Sequence, residues 1–349
     1  MVVVKFKKNI VKAFLVLLSL VFMFKMPYAV SSGVTDGLRI CFYVIMPSLF
    51  PFMVLSTYII KSNIFGFTYK FLAPVSRVLF RQPACSLPVI IMSMIGGFPV
   101  GIKMVSNLVN EKLITKKQAQ RLCIFCMNGG PAFVITAVGV NMFGSFRAGV
   151  IIFASLCLSS LIMGIFTRFL GEKNELQEHY GSQSTLSSLS SAVSDALQSV
   201  LGICAWVVIF SAITNCIKIC IKNESVFMAI SSLLEVTNGC VMLTGKMPIP
   251  VITVAIGFGG ICVHCQVLTN LKDCGMKYSH FFVCRVMNGA IASVISYLLL
   301  LIFPVHTDVF ASIENMTISA FSVSLPAFFT FAIMCIIMIL DIDRKKKIW

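Results

Sequence analysis

Apolar runs recur along the whole chain, at 10–30, 38–60, 85–108, 121–143, 147–170, 197–221, 226–243, 248–271, 280–304 and 319–341. About 20 apolar residues cross the hydrocarbon core of a bilayer, so the pattern predicts membrane helices from end to end. Two stretches interrupt it. Residues 61–82 mix aromatics with Lys61, Lys70, Arg77 and Arg81, which suits an amphipathic helix in the interface. Residues 171–194 are polar and Ser-rich and divide the chain near its middle. Two of the apolar runs make poor simple spans. The first, 85–108, holds Pro88, then Gly96-Gly97-Phe98-Pro99-Val100-Gly101, then Lys103. The second, 248–271, holds Pro248, Pro250, Gly257, Gly259, Gly260, His264 and Gln266. Gly and Pro break helices, and broken backbone at membrane depth survives only inside protein or beside a water-filled cavity. Both runs are therefore expected to be discontinuous helices or re-entrant hairpins.

The two irregular runs also resemble each other. Gly96-Gly97 aligns with Gly259-Gly260, which places Gly101 and Lys103 opposite His264 and Gln266, and Ser106-Asn107-Leu108 opposite Thr269-Asn270-Leu271. Pro88-Val89-Ile90 aligns with Pro250-Val251-Ile252, Met127-Asn128-Gly129 with Met287-Asn288-Gly289, and Asp36 with Asp195. The order is kept and the register drifts little. Gly, Val and Ile recur by chance in membrane segments, but the Ser/Thr-Asn and Met-Asn-Gly matches are harder to obtain that way. This predicts an all-α polytopic membrane protein of two homologous halves, inverted repeats, each with a broken or re-entrant helical hairpin. Its parts are an N-terminal membrane helix (1–35), a first repeat (36–170), a polar Ser-rich linker (171–194), a second repeat (195–304), and a C-terminal membrane helix with a basic tail (305–349). Duplicated halves with broken helices are the mark of secondary transporters, whose substrate sits at the midplane between the broken elements.

Composition sharpens this. Hydrophobic residues are 58% of the 349 and charged residues 12%, against about 25% charged in soluble domains. A soluble enzyme, a nucleic-acid-binding domain and a disulfide-rich secreted fold are excluded on that ground. The net charge of +15 would suggest nucleic acid in a soluble chain; here it reads as Lys and Arg collected in cytoplasmic loops. Lys5, Lys7, Lys8 and Lys12 at one end and Arg344-Lys345-Lys346-Lys347 at the other place both termini in the cytoplasm, which needs an even number of crossings. Counting both irregular runs as hairpins, with 226–243 as the first arm of the second, leaves seven full spans, so either a hairpin arm spans or one terminus is misplaced. The first apolar run follows a basic start without a clean cleavage site and is expected to be a retained helix. Nearly all of the 14 cysteines lie within apolar stretches and behave as small hydrophobes. Cys262, His264 and Cys265 could supply three metal ligands, but no fourth is evident, so no metal is expected.

Polar groups inside a bilayer are costly and usually functional. Lys103 follows the first break, where a cation beside free N–H groups would suit an anion; alternatively it snorkels to an interface. Asn128-Gly129-Gly130-Pro131 marks a second break, with Asn288-Gly289 as its counterpart. These asparagines could bind substrate or simply join helices. Glu235-Val236-Thr237-Asn238-Gly239 is the most polar cluster in an apolar stretch. Glu235 is the candidate for coupling Na⁺ or H⁺, unless it marks a helix end at the surface. His264 and Gln266 could hydrogen-bond a substrate, or His264 could be a satisfied core residue. Gly97, Pro99, Gly101, Lys103, Asn107, Asn128, Gly129, Gly130, Thr237, Asn238, Gly259, Gly260, His264, Gln266 and Asn288 together form the expected substrate site. No nucleophile–base pair and no Walker loop is present, so neither an enzyme nor a cofactor is expected.

Gly97-Phe98-Pro99-Val100-Gly101-x-Lys103, followed by Asn128-Gly129-Gly130-Pro131 and by Val138-Gly139-Val140-x-Met142-Phe143-Gly144, resembles the YlbJ-type sporulation integral membrane proteins. Leu234-Glu235-x-Thr237-x-Gly239 and Gly259-Gly260-x-x-Val263-His264-x-Gln266 are similar to that family's second half. The resemblance runs over about residues 36–303. One departure is Asn128-Gly129-Gly130, where the family pattern has Asn-Ser-Gly. The resemblance implies nucleoside recognition (Gate) repeats, similar to the hairpin core of concentrative nucleoside transporters. It further implies transport of dipicolinate, a small aromatic dianion, across the outer forespore membrane of a sporulating cell. The implied partners are a small anionic substrate, the lipid bilayer, a coupling ion and a second copy of the chain, with no nucleic acid. A nucleoside carrier and a non-transporting scaffold for spore assembly remain the alternatives.

Overall fold

The computed structural model describes residues 21, 23–61, 74–170 and 189–305. The basic N-terminal residues, most of the interfacial stretch and of the Ser-rich linker, the C-terminal span and the basic tail lie outside the described residues. Among those described, every regular element is helical.

A long helix opens the fold: α1 (Pro27–Ile40) passes through a wide turn at Cys41–Ile45 into α2 (Met46–Lys61). Pro27 suits the first helical position, where no N–H partner is needed. Two short helices follow, α3 (Ser86–Ile95) and α4 (Val100–Asn110), and the chain folds back between them: Gly101 returns onto Ser93. Next come α5 (Lys116–Phe125), an irregular stretch at 126–130, the wide-wound α6 (Ala132–Met142) and the long α7 (Phe146–Thr167). A reciprocal cap starts α5, with the Thr115 hydroxyl accepting from the Gln118 N–H and the Gln118 side chain accepting from the Thr115 N–H. Ser145 caps α7.

The same order of elements then recurs. A long helix, α8 (Leu189–Cys220), is followed by a folded-back pair, α9 (Glu224–Leu234) and α10 (Val236–Leu243). An interrupted helix comes next, α11 (Ile249–Phe258) and α12 (Gly260–Asp273), and then the long α13 (Tyr278–Ile302). In this order the fold-back at Gly97 corresponds to the fold-back at Glu235, and the break at 126–130 to the break at Gly259. The sequence alignment of Gly96 with Gly259 crosses these positions. Its physical cause is that glycines are needed at both kinds of interruption, so a glycine match does not say which kind it marks. The segment at 248–271 is accordingly a kinked helix, and the second folded-back pair lies upstream at 224–243.

Small residues let the backbones approach. A Cβ on Gly33 would lie 2.6 Å from the Ala212 Cα, and one on Gly37 2.8 Å from the Val208 Cα. Further along, the Cys41 thiol reaches the Cys204 carbonyl. As the α1 numbers rise, the α8 numbers fall, so the two helices are antiparallel. Gly139 meets Gly149 between α6 and α7, and Gly257 meets Gly289 between α11 and α13.

Four helical stretches are long and apolar enough to cross a membrane among the described residues: Phe146–Thr167, Leu189–Cys220, Ile249–Asp273 and Tyr278–Ile302. Their burial is inside-out. On α13, Arg285, Asn288, Ala292 and Ser296 are buried, while Val283, Val286, Val294, Leu298 and Leu301 are exposed. Lipid is the solvent that accepts such a surface, and polar groups then belong inside. The chain is an all-α polytopic membrane protein.

Candidate functional site

The chain's interruptions meet. The backbones at Gly97 and Gly130 touch: a Cβ on Gly97 would lie 2.7 Å from the Gly130 nitrogen, and the glycine holds a φ of +72°. The Phe98 ring lies 3.6 Å from the Cβ positions of both Gly129 and Gly259. Gly259 also faces the end of Met127, and Gly260 sits over Leu234, Glu235 and Val236. The fold-back at 96–99, the stretch at 126–130, the turn at Glu235 and the kink at 259–260 thus form one junction. Residues Gly97, Gly129, Gly130, Gly259 and Gly260, expected from sequence, are brought together there. Pro99 stands at the N-cap position of α4 beside them.

Irregular backbone leaves carbonyls and N–H groups unpaired, and side chains fill the deficit. Glu235 is buried and caps α10: its two carboxylate oxygens accept from the N–H groups of Thr237 (2.9 Å) and Asn238 (2.7 Å). The helix start thereby stabilises the carboxylate. Asn238 also donates from its side chain to the Ser211 hydroxyl, tying α10 to α8. Arg285 does the converse for carbonyls. Its guanidinium is fully buried and donates to the carbonyls of Met127 at 2.5 Å, of Gly257, and of Phe258 at 3.5 Å. It therefore binds the break in the first series to the kink in the second. The Phe98 ring centroid is 5.8 Å from the guanidinium carbon. Sequence reasoning missed Arg285, which stands between Cys284 and Val286 near the start of an apolar run. The available signal was its spacing: Arg285, Asn288, Gly289, Ala292 and Ser296 share one helical face.

Beside the junction, Ser160 of α7 joins the two asparagines. Its hydroxyl donates to Asn128 Oδ1 (2.5 Å) and accepts from Asn288 Nδ2 (3.1 Å). The Ser159 hydroxyl donates to the Asn288 carbonyl. The Met-Asn-Gly pair read as sequence counterparts is thus a pair in space, linked by one hydroxyl. Asn288 Oδ1 is buried with no partner among the described residues. Ser160→Ala would leave Asn128 Oδ1 unpaired, at a cost of about 1–3 kcal/mol, and Asn288 Nδ2 with only the Met163 sulfur. We expect a lower melting temperature than for Ser159→Ala, which frees one carbonyl, measured by intrinsic-fluorescence unfolding in detergent.

Of the remaining expected residues, Lys103 and Asn107 lie apart, while His264 shares the Phe258 carbonyl with Arg285. Lys103 points from α4 to α8, where its ammonium donates to the Ser199 hydroxyl and the Asp195 carbonyl. Asn107 is half-buried on α4. His264 is enclosed by Phe258, Tyr278, Phe281 and Phe282. Its Nε2 is 3.0 Å from the Phe258 carbonyl and its Nδ1 3.2 Å from the Tyr278 hydroxyl, so a neutral ring donates from Nε2 and accepts at Nδ1. Gln266 donates to the Cys262 sulfur one turn back. Thr237 meets the junction through its backbone at the Glu235 cap. Among the described residues no three His, Cys, Asp or Glu side chains gather as a metal site.

The fold and junction define an integral membrane protein built on discontinuous helices. Its sequence is similar to the sporulation integral membrane protein YlbJ of Bacillus subtilis (strain 168), at 25% identity over 328 residues, covering 80% of this chain and 79% of that protein. No family model matches the chain, and no solved structure matches it.

Proposed function

We propose that the chain is a secondary-type carrier that serves spore formation, moving a small polar metabolite across the membrane, with no enzymatic step. The observation that carries this reading is the junction itself: four interruptions from two like-ordered series of helices meet inside the protein. Interrupted backbone at that depth is costly unless it lines a path or a binding place, and carriers use this plan to alternate access. The antiparallel pairing of α1 with α8, the first members of the two series, supports an inverted relation between the halves. The similarity to a sporulation integral membrane protein supports the setting. Dipicolinate crossing the outer forespore membrane is the substrate and place we favour. Both termini then lie in the cytoplasm, and Gate-type repeats form the two halves. The solute's own gradient or a coupled Na⁺ or H⁺ drives it.

Labelled dipicolinate flux into proteoliposomes tests this directly. The expected result is uptake above empty liposomes that excess uridine leaves unchanged. Uptake blocked by uridine would replace the anion carrier by a nucleoside carrier. No uptake of either solute, under Na⁺ and proton gradients alike, would leave the assembly scaffold.

A further inference from the structure

The Arg285 guanidinium has a full positive charge and no exposure to solvent, and among the described residues it hydrogen-bonds to main-chain carbonyls alone. The described carboxylates near the core are engaged elsewhere: Glu235 caps α10, and Asp273 accepts from Ser106. Carbonyl dipoles offset part of a buried charge, but a cation without a counter-ion is expensive in so dry a setting. Guanidinium has five N–H donors in a planar fork. Three are used here, one on each nitrogen, so each terminal nitrogen keeps a second hydrogen. A carboxylate is a better acceptor than a carbonyl and matches the fork with two oxygens. Phe98 lies over the guanidinium, and Gly129 and Gly259 pack against the same Phe98 ring.

We propose that Arg285 receives a carboxylate of the carried solute at this junction. The Met127 carbonyl, its one partner from the first series, gives way to the acid when the two series part. The bonds to Gly257 and Phe258 keep the guanidinium aimed. Arg285 is then both the tie between the series in the closed protein and the group that selects an anion. The proposal starts from the substrate class of the carrier reading and places its recognition at Arg285, not at Lys103.

Binding to the purified full chain in detergent, measured by titration calorimetry, separates the two ideas. The probes are pyridine-2,6-dicarboxylate and its neutral diamide, which share ring and size. The expected result is roughly tenfold to hundredfold tighter binding of the acid, the range a charge-assisted hydrogen bond supplies. Arg285→Gln should bind acid and amide alike, and Arg285→Lys should keep only part of the preference, since an ammonium has no fork. Equal binding of both probes by the wild type, no binding of the acid, or an Arg285→Gln protein that still prefers the acid would overturn the assignment. If Arg285→Gln does not accumulate, Arg285→Lys decides: a full wild-type preference in that variant would overturn the assignment. Preference without flux in proteoliposomes would remove the carrier and keep the anion site; flux without preference would do the reverse.

Discussion

Gly101→Ala is expected to remove the folded protein from the membrane. Gly101 lies where α4 returns against α3, under the first residue of the break at 126–130. A Cβ there would sit 2.1 Å from the Cys126 carbonyl oxygen and 2.5 Å from the Ser93 Cβ. The first contact is with backbone, which cannot rotate away as a side-chain end can. Relief would require moving α4, α3 or the stretch before Asn128, each of which is held by the junction. Overpacking a core costs about 1–3 kcal/mol in ordinary cases and more where backbone must shift, and we expect the upper end or beyond. The measurement is the amount of monodisperse protein after detergent extraction, from a fluorescent fusion on size exclusion. Gly202→Ala is the control. Gly202 lies on α8 with nothing within 4 Å of its added Cβ, and the same change there should be neutral or stabilise by about 0.5–1 kcal/mol through helix propensity. Similar yields for the two variants would mean that α3, α4 and the 126–130 stretch do not pack this closely.

Glu235→Ala is expected to be the next most damaging change. It strips the buried start of α10 of its cap and leaves the N–H groups of Thr237 and Asn238 unpaired. Loss of a cap costs about 0.5–2 kcal/mol, and each buried donor left unpaired costs about 1–3 kcal/mol. A loss near 3 kcal/mol follows, read as a fall in the detergent melting temperature. Glu235→Gln keeps one accepting oxygen and should lie between the two. The pair also separates two roles for this carboxylate. If it only caps α10, Glu235→Gln retains flux and its ion dependence in proportion to the folded protein. A Glu235→Gln protein of wild-type stability whose flux no longer responds to Na⁺ or proton gradients would restore the coupling role.

The sequence made the membrane class legible, because the need for long apolar runs is local and each run announces itself. It also marked the glycine- and proline-containing interruptions, since a helix breaks where its own residues break it. It gave Glu235 as the polar point in an apolar stretch and offered a helix end at the surface as one reading; the residue does stand at a helix end, but buried. It gave Asn128 and Asn288 as counterparts, and they meet through Ser160. It was less informative about Lys103 and His264, whose partners lie on other helices or in an aromatic cluster that no spacing rule displays.

What the residues alone determined, then, is that the chain belongs in lipid and that its helices are interrupted. Which interruption rests on which was decided only in three dimensions. The contact between Gly97 and Gly130, and the reach of Arg285 to Met127 and Gly257, join residues far apart in the chain. Hydropathy is a sum over neighbours along the chain. The pairing of a buried guanidinium with orphan carbonyls is a demand of the low-dielectric interior, and it becomes visible only once packing has brought the breaks together.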